Sequence, residues 1–236
     1  MLRRLLLILV LIPIFSRFVL AAEIHPIKKI SDNGMTVLIL EQHTLPIVSA
    51  EVLIRTGAIY DPNEKGGLAN MVASLLDEGT KRRSSKEIAD AVDFIGASLS
   101  ANAGEDYTTA SLKILKKDVG TGFDLLSDIL INPAFDPKEV ERVRKNILGS
   151  ILSEKDEPEI VAEKAFDELV FDHHPYHRPA DGTEESVPKI TRDDLVNFHS
   201  TYYRPNNAII SIVGDVTEAE AMGLVKKHFG GWEKKT

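Results

Sequence analysis

Gly66-Gly67-Leu68-Ala69-Asn70-Met71-Val72-Ala73-Ser74-Leu75-Leu76-Asp77-Glu78-Gly79-Thr80 is the stretch on which the fold turns. Taken as a helix, it sets Leu68, Met71, Val72, Leu75 and Leu76 at i, i+3, i+4, i+7 and i+8, a stripe fit for a core. The other side carries Asn70, Ala73, Ser74 and Asp77, all small or polar. Gly79 follows the last periodic residue, where a helix C-terminus favours glycine. Such a helix buries one face and turns a narrow face of modest side chains elsewhere.

Around this helix the chain alternates strands and helices. Upstream, Asn33-Gly34 is a turn dipeptide, Thr36 to Leu40 is rich in β-formers, and Ile47 to Arg55 alternates Val48, Ala50, Val52 and Ile54 with Ser49, Glu51 and Leu53. Downstream, Ser84…Glu87 has capping-box spacing and opens a helix through Ile88, Ala91, Val92 and Ile95. Two strands, Ala97 to Ala103 and Tyr107 to Leu115, flank Gly104-Glu105-Asp106 as a hairpin. Helical periodicity returns from Lys117 to Ile131, from Asp136-Pro137 toward Lys155, and after Pro158. A short helix is expected from Thr191, a strand over Asn207 to Gly214, and a last helix from the capping box Thr217…Glu220 to Phe229. About five strands and seven helices, joined by hairpins rather than in a βαβ rhythm, predict an α+β fold with a mainly antiparallel sheet flanked by helices.

The formal charge is −8, and the only basic cluster is Lys81-Arg82-Arg83. Nucleic-acid binding, which needs a dense basic surface, is therefore not expected. Arg3-Arg4, the apolar run Leu5 to Phe15 and the small-residue exit at Ala21-Ala22 predict a cleaved signal peptide over residues 1–22. Pro13 and Ser16-Arg17 keep the run short of a comfortable span, so no stable membrane anchor is expected. The chain has no cysteine, which excludes disulfides, a thiol nucleophile and a thiolate metal site. An exported protein, periplasmic or secreted, follows, with residues 23–236 as its domain.

Several landmarks, in order, resemble the insulinase or pitrilysin family of zinc metallopeptidases, which includes the mitochondrial processing peptidase subunits. They are Asn33-Gly34, Gly57-Ala58-Ile59-Tyr60-Asp61, Gly67-Leu68-Ala69, Gly79-Thr80 and Gly96-Ala97-Ser98-Leu99-Ser100-Ala101. Pro175-Tyr176, Gly182-Thr183-Glu184, Tyr202 to Ala208 and Val213-Gly214-Asp215-Val216 continue the pattern. In that family the helix carries His-x-x-Glu-His: two histidines one turn apart bind Zn²⁺, the Glu activates the metal-bound water, and a Glu on a later helix completes the site. The resemblance puts the two His positions on Asn70 and Ser74, the general base on Ala73 and the later ligand on Ser150. All four are replaced by residues that neither bind zinc well nor move a proton.

Other candidates are weaker. His173, His174 and His177 form a histidine-rich loop, balanced against a solvated turn around Pro175-Tyr176. Asp77 and Glu78 point about 100° apart on a helix, so they do not form a facing acid–base pair. Ser74 lacks the signature of a nucleophile elbow. Asn70 either bonds across the old cleft to Ser74 or Ser150, or is exposed in the groove. The strand containing Leu99, Ser100, Ala101 and Asn102 resembles the edge on which family members lay an extended peptide, with an interior strand as the alternative.

The resemblance implies a non-catalytic subunit with no cofactor of its own, zinc being expected only in an active partner. That partner is a homologous His-x-x-Glu-His peptidase subunit, and the two together enclose peptides. The chain is expected to be the first half of a two-domain arrangement. A stand-alone peptide-binding or scaffold module is the alternative, and an active metallopeptidase with a rebuilt site is a third.

Overall fold

The strands and helices are taken from a computed structural model that describes residues 25–234. The expected signal peptide lies outside them. The six strands are β1 (Ile27–Ile30), β2 (Thr36–Glu41), β3 (Ile47–Ile54), β4 (Ser98–Ala103), β5 (Thr108–Leu115) and β6 (Ala208–Gly214). The helices are α1 (Leu68–Ala73), α2 (Ser85–Phe94), α3 (Val119–Ile131), α4 (Pro137–Glu154), α5 (Pro158–Val170), α6 (Arg192–Tyr202) and α7 (Glu218–Phe229). The expected α+β class holds, with β1 as a strand beyond the five expected.

The sheet order is β1-β2-β6-β3-β5-β4. Every neighbouring pair is antiparallel except β2 with β6. The last strand inserts between β2 and β3, although those two are consecutive in the chain. The register explains the core. Val52 pairs with Ala110 and Ile210, and Ala50 with Leu112 and Ile212, so the small and branched side chains of three strands share one buried face. The opposite face presents Ser49, Glu51, Ser111 and Lys113, and the Ser111 hydroxyl donates to the Glu51 carboxylate at 3.1 Å.

The Ser84…Glu87 and Thr217…Glu220 capping boxes both form. Thr191 and Asp194 make a third, and it carries α6 on to Tyr202 rather than the short helix expected. Pro137 stands in the first turn of α4, and Asp136 accepts from the Lys138 N–H. Among the described residues no helix is long and apolar enough to cross a membrane.

Candidate functional site

The α-helix of the opening stretch is only six residues long, Leu68–Ala73. Beyond it the chain tightens rather than stops: the N–H groups of Leu75, Leu76 and Glu78 donate to the carbonyls three residues back. The tighter winding still points Leu75 and Leu76 into the core beside Leu68, Met71 and Val72. Ala73 corrects the expected outward face, because it is fully buried. Only Asn70, Ser74, Asp77 and Glu78 stay partly accessible on this segment.

Sequence patterning did not single out the residue that starts the helix. Asp61 is buried, and its carboxylate accepts the N–H groups of Gly67, Leu68 and Ala69 at 2.8, 3.1 and 2.9 Å. These are donors that a helix start leaves unsatisfied. Burial pushes the Asp61 carboxyl up to about 7, against the opposing pull of those three N–H groups and of Arg178. In the sequence Asp61 stood out only as the end of the Gly57-Ala58-Ile59-Tyr60-Asp61 landmark, five residues ahead of a glycine pair. Its tertiary reach made it invisible to capping rules.

Two helical edges face one another across a groove of about 360 Å³. One edge is Asn70, Ser74 and Glu78; the other is Arg142, Asn146, Ser150 and Glu154 along α4, each series at i+4 spacing. Asp181 completes the lining. Asn70, Ser74 and Ser150 are thus brought together, whereas Ala73 is not part of the surface. The Asn70 side chain makes no hydrogen bond to Ser74 or Ser150, so the bridge across the cleft does not form.

Ion pairs hold both ends of the groove. Arg142 pairs with Glu78 and, at 2.7 Å, with Glu139; these carboxylates raise its guanidinium above the ordinary arginine range. Ser85 donates to Glu78 at 2.7 Å. At the far end Lys164 lies 2.5 Å from Glu154 and 3.5 Å from Asp181. Burial raises Asp181, and it also raises Asp77. Glu78 is therefore a structural partner rather than half of an acid–base pair with Asp77.

The strand with Leu99, Ser100, Ala101 and Asn102 is β4, which ends the sheet and lies beside α1. Among the described residues it has a strand neighbour on one side only, so it is not an interior strand. Leu99 and Ala101 turn toward the core, while Ser100 and Asn102 are exposed. In the histidine loop, His174 Nδ1 accepts the Tyr176 N–H at 3.3 Å, His177 Nδ1 bonds the His174 carbonyl at 2.6 Å, and His173 is solvated. The Tyr176 hydroxyl donates to Asp106 at 2.7 Å, tying the loop to the β4–β5 hairpin.

Residues 36–184 match the family model described as Insulinase (Peptidase family M16). The chain belongs to the M16 family. Residues 189–236 match the model described as Peptidase M16 inactive domain. Among curated relatives, the chain is 26% identical over 203 residues to the uncharacterized zinc protease YmxG of Bacillus subtilis, covering 86% of this chain and 49% of that protein. It is 30% identical over 198 residues to an uncharacterized zinc protease of Mycobacterium leprae, covering 84% and 44%. A probable mitochondrial-processing peptidase subunit beta of Arabidopsis thaliana is 28% identical over 197 residues, covering 84% and 37%. This M16 chain thus spans about half or less of the length of these relatives. In fold it superposes on a peptidase M16 inactive domain from Pseudomonas fluorescens with TM-score 0.85 at 24% identity, covering 89% of this chain and 52% of that one. Pitrilysin gives TM-score 0.81 at 21% identity, covering 91% and 24%.

The zinc ion associated with the family can be tested against the residues here. Zn²⁺ takes imidazole, thiolate or carboxylate donors in a near-tetrahedral set. The groove offers an amide at Asn70 and hydroxyls at Ser74 and Ser150; its carboxylates, Glu78, Glu154 and Asp181, are held in ion pairs by Arg142 and Lys164, and Ala73 is a buried methyl off its surface. Among the described residues no group of three or more His, Cys, Asp or Glu is placed to hold a metal. The donor set does not fit zinc.

Proposed function

We propose that this M16 chain is a non-catalytic half that helps an active zinc peptidase enclose peptides. The observation that carries the proposal is the groove itself: two facing helical edges with an amide and two hydroxyls at their centre and ion-paired charges at both ends, next to a strand that ends the sheet. In this arrangement β4 supplies main-chain hydrogen bonds to an extended peptide, which is held with little demand on its sequence. Asn70, Ala73, Ser74 and Ser150 occupy the positions of the family's zinc ligands and base, and the metal and its water belong to the partner. The partner is a homologue with an intact His-x-x-Glu-His helix.

The proposed setting is outside the cytoplasm, on the strength of the Arg3-Arg4 and Leu5 to Phe15 pattern. The experiment is reconstitution. The purified chain alone should cleave no peptide, and mixing with a cognate His-x-x-Glu-His subunit should give chelator-sensitive cleavage above that subunit's own rate. Chelator-sensitive cleavage by the lone chain would sink the proposal.

A further inference from the structure

A second cavity, of about 670 Å³, lies away from the Asn70 groove, between the segment after α3, helix α6 and the residues after α7. Its walls include Phe135, Val196 and Trp232, and its rim carries Lys81, Arg192 and Arg204. Among the described residues the one carboxylate in the lining is Glu233. This is a positive site on a protein whose formal charge is −8.

Among the described residues the two arginines hydrogen-bond to neutral groups only, and the Lys81 ammonium makes no hydrogen bond or ion pair. Arg192 donates to the carbonyls of Phe135 and Ala134 at 2.8 and 3.1 Å, and Arg204 to those of Ser200 and Glu233 at 2.9 and 3.5 Å. Among the described residues none of the three pairs with a carboxylate, whereas Arg82, Arg83 and Arg142 all do. His199 also stands in the wall. It donates from Nε2 to the Leu130 carbonyl at 2.9 Å, and the two charged groups that act on it, Arg204 and Lys81, are both positive. Cations set in low-dielectric walls focus a field into such a cavity. Apolar walls with a few placed polar groups are also the usual build of a small-ligand site.

We propose that this cavity binds a carboxylate borne on an apolar body, its oxygens held by Lys81 and Arg204 with Arg192 and its body laid against Phe135 and Trp232. A bare inorganic anion would meet the charges but waste the aromatic wall, and a neutral apolar molecule would leave the cations unmatched. Two sources share this chemistry: a free organic acid, and a peptide C-terminus ending in an apolar residue.

Trp232 is the only tryptophan in the chain, so its fluorescence reports on the cavity directly. The probes are octanoate, N-acetyl-leucyl-phenylalanine as the free acid, the same dipeptide as its amide, and inorganic phosphate, with calorimetry on the same samples. Saturable binding of at least one acid is expected, at least about tenfold tighter than the amide and weakened by salt. Whichever acid binds assigns the source. Lys81→Gln, which touches no structural hydrogen bond of that side chain, should weaken the acid severalfold, as should Arg204→Gln, while Lys145→Gln on α4 should not. Equal binding of acid and amide, equal binding of phosphate, no saturable binding by either method, or an unchanged Lys81→Gln affinity would each overturn the proposal.

Discussion

Gly67 stands directly against Asp181. A Cβ on Gly67 would come within 2.6 Å of the Asp181 carbonyl oxygen, and the backbone there is left-handed, with φ +91°. Gly182, also at positive φ, would bring its own Cβ to 2.5 Å of the Gly66 carbonyl. The two glycine segments therefore interlock, and the Ser186 hydroxyl donates to Gly66 O at 2.8 Å across the join. This contact lays Asp181 over the groove. Gly67→Ala should cost about 2–4 kcal/mol, combining the strained φ with the clash. Chemical denaturation measures it, and a loss under about 0.5 kcal/mol would show that the join gives way freely.

Asp61 gives a pH-dependent term. Its carboxyl holds a proton in the fold to about 7, well above the ordinary 3.8. The sign follows: the stability from this group is complete below about 4 and is lost as pH rises toward 7, by up to about 4 kcal/mol. Asp61→Asn keeps an acceptor and removes the titration, so its stability should fall less across that window than the wild type's. Asp61→Ala leaves the N–H groups of Gly67, Leu68 and Ala69 without an acceptor and should cost about 3 kcal/mol at low pH. Matching pH–stability curves for wild type and Asp61→Asn would count against this.

His199 gives the opposite slope. Burial holds its imidazole down to about 4, stacked 4.6 Å from Tyr203. The fold disfavours the charged ring, so the stability from this group is complete above 6.5 and is lost as pH falls through about 4, by about 3 kcal/mol. His199→Gln should remove this acid-side loss. A difference curve, mutant minus wild type, isolates it from Asp61 because each variant deletes only one slope.

The Asn70 groove predicts a gain of metal rather than a loss. Wild-type protein dialysed against zinc should carry no stoichiometric metal. The combined Asn70→His, Ser74→His, Ser150→Glu variant, which leaves the buried Ala73 untouched, should take up about one equivalent, since three protein donors suffice for a zinc site. Metal analysis after gel filtration is the readout. Equal zinc in both proteins would show that the three positions do not converge as the groove places them.

Binding on β4 should respond to the strand's backbone rather than its side chains. Ala101→Pro removes a main-chain donor that faces the open edge, since Ser100 and Asn102 pair with β5, and should abolish capture of an extended peptide, whereas Ala101→Ser should leave it within about twofold. Fluorescence anisotropy with a labelled unstructured peptide, in the presence of the active partner, separates the two.

Much of this was written locally. The core stripe of the opening helix, the capping boxes at Ser84 and Thr217, Pro137 at a helix start and the β4–β5 hairpin all depend on residues within a few positions of one another, and their periodicities survive in the fold. The order of family landmarks, and the expectation that Asn70, Ala73, Ser74 and Ser150 stand at the family's zinc-site positions, likewise came from the residues alone. Tertiary structure alone decided that β6 enters beside β2, that β4 ends the sheet, and that Ala73 turns inward while Asn70 and Ser74 meet Ser150. It also decided that Asp61 caps a helix through three N–H groups and that Lys81, Arg192 and Arg204 share one cavity. Those outcomes depend on contacts between residues far apart in the chain, where no period or spacing carries information. They are set when burial of the Val52, Ala110 and Ile210 face brings distant strands into one register.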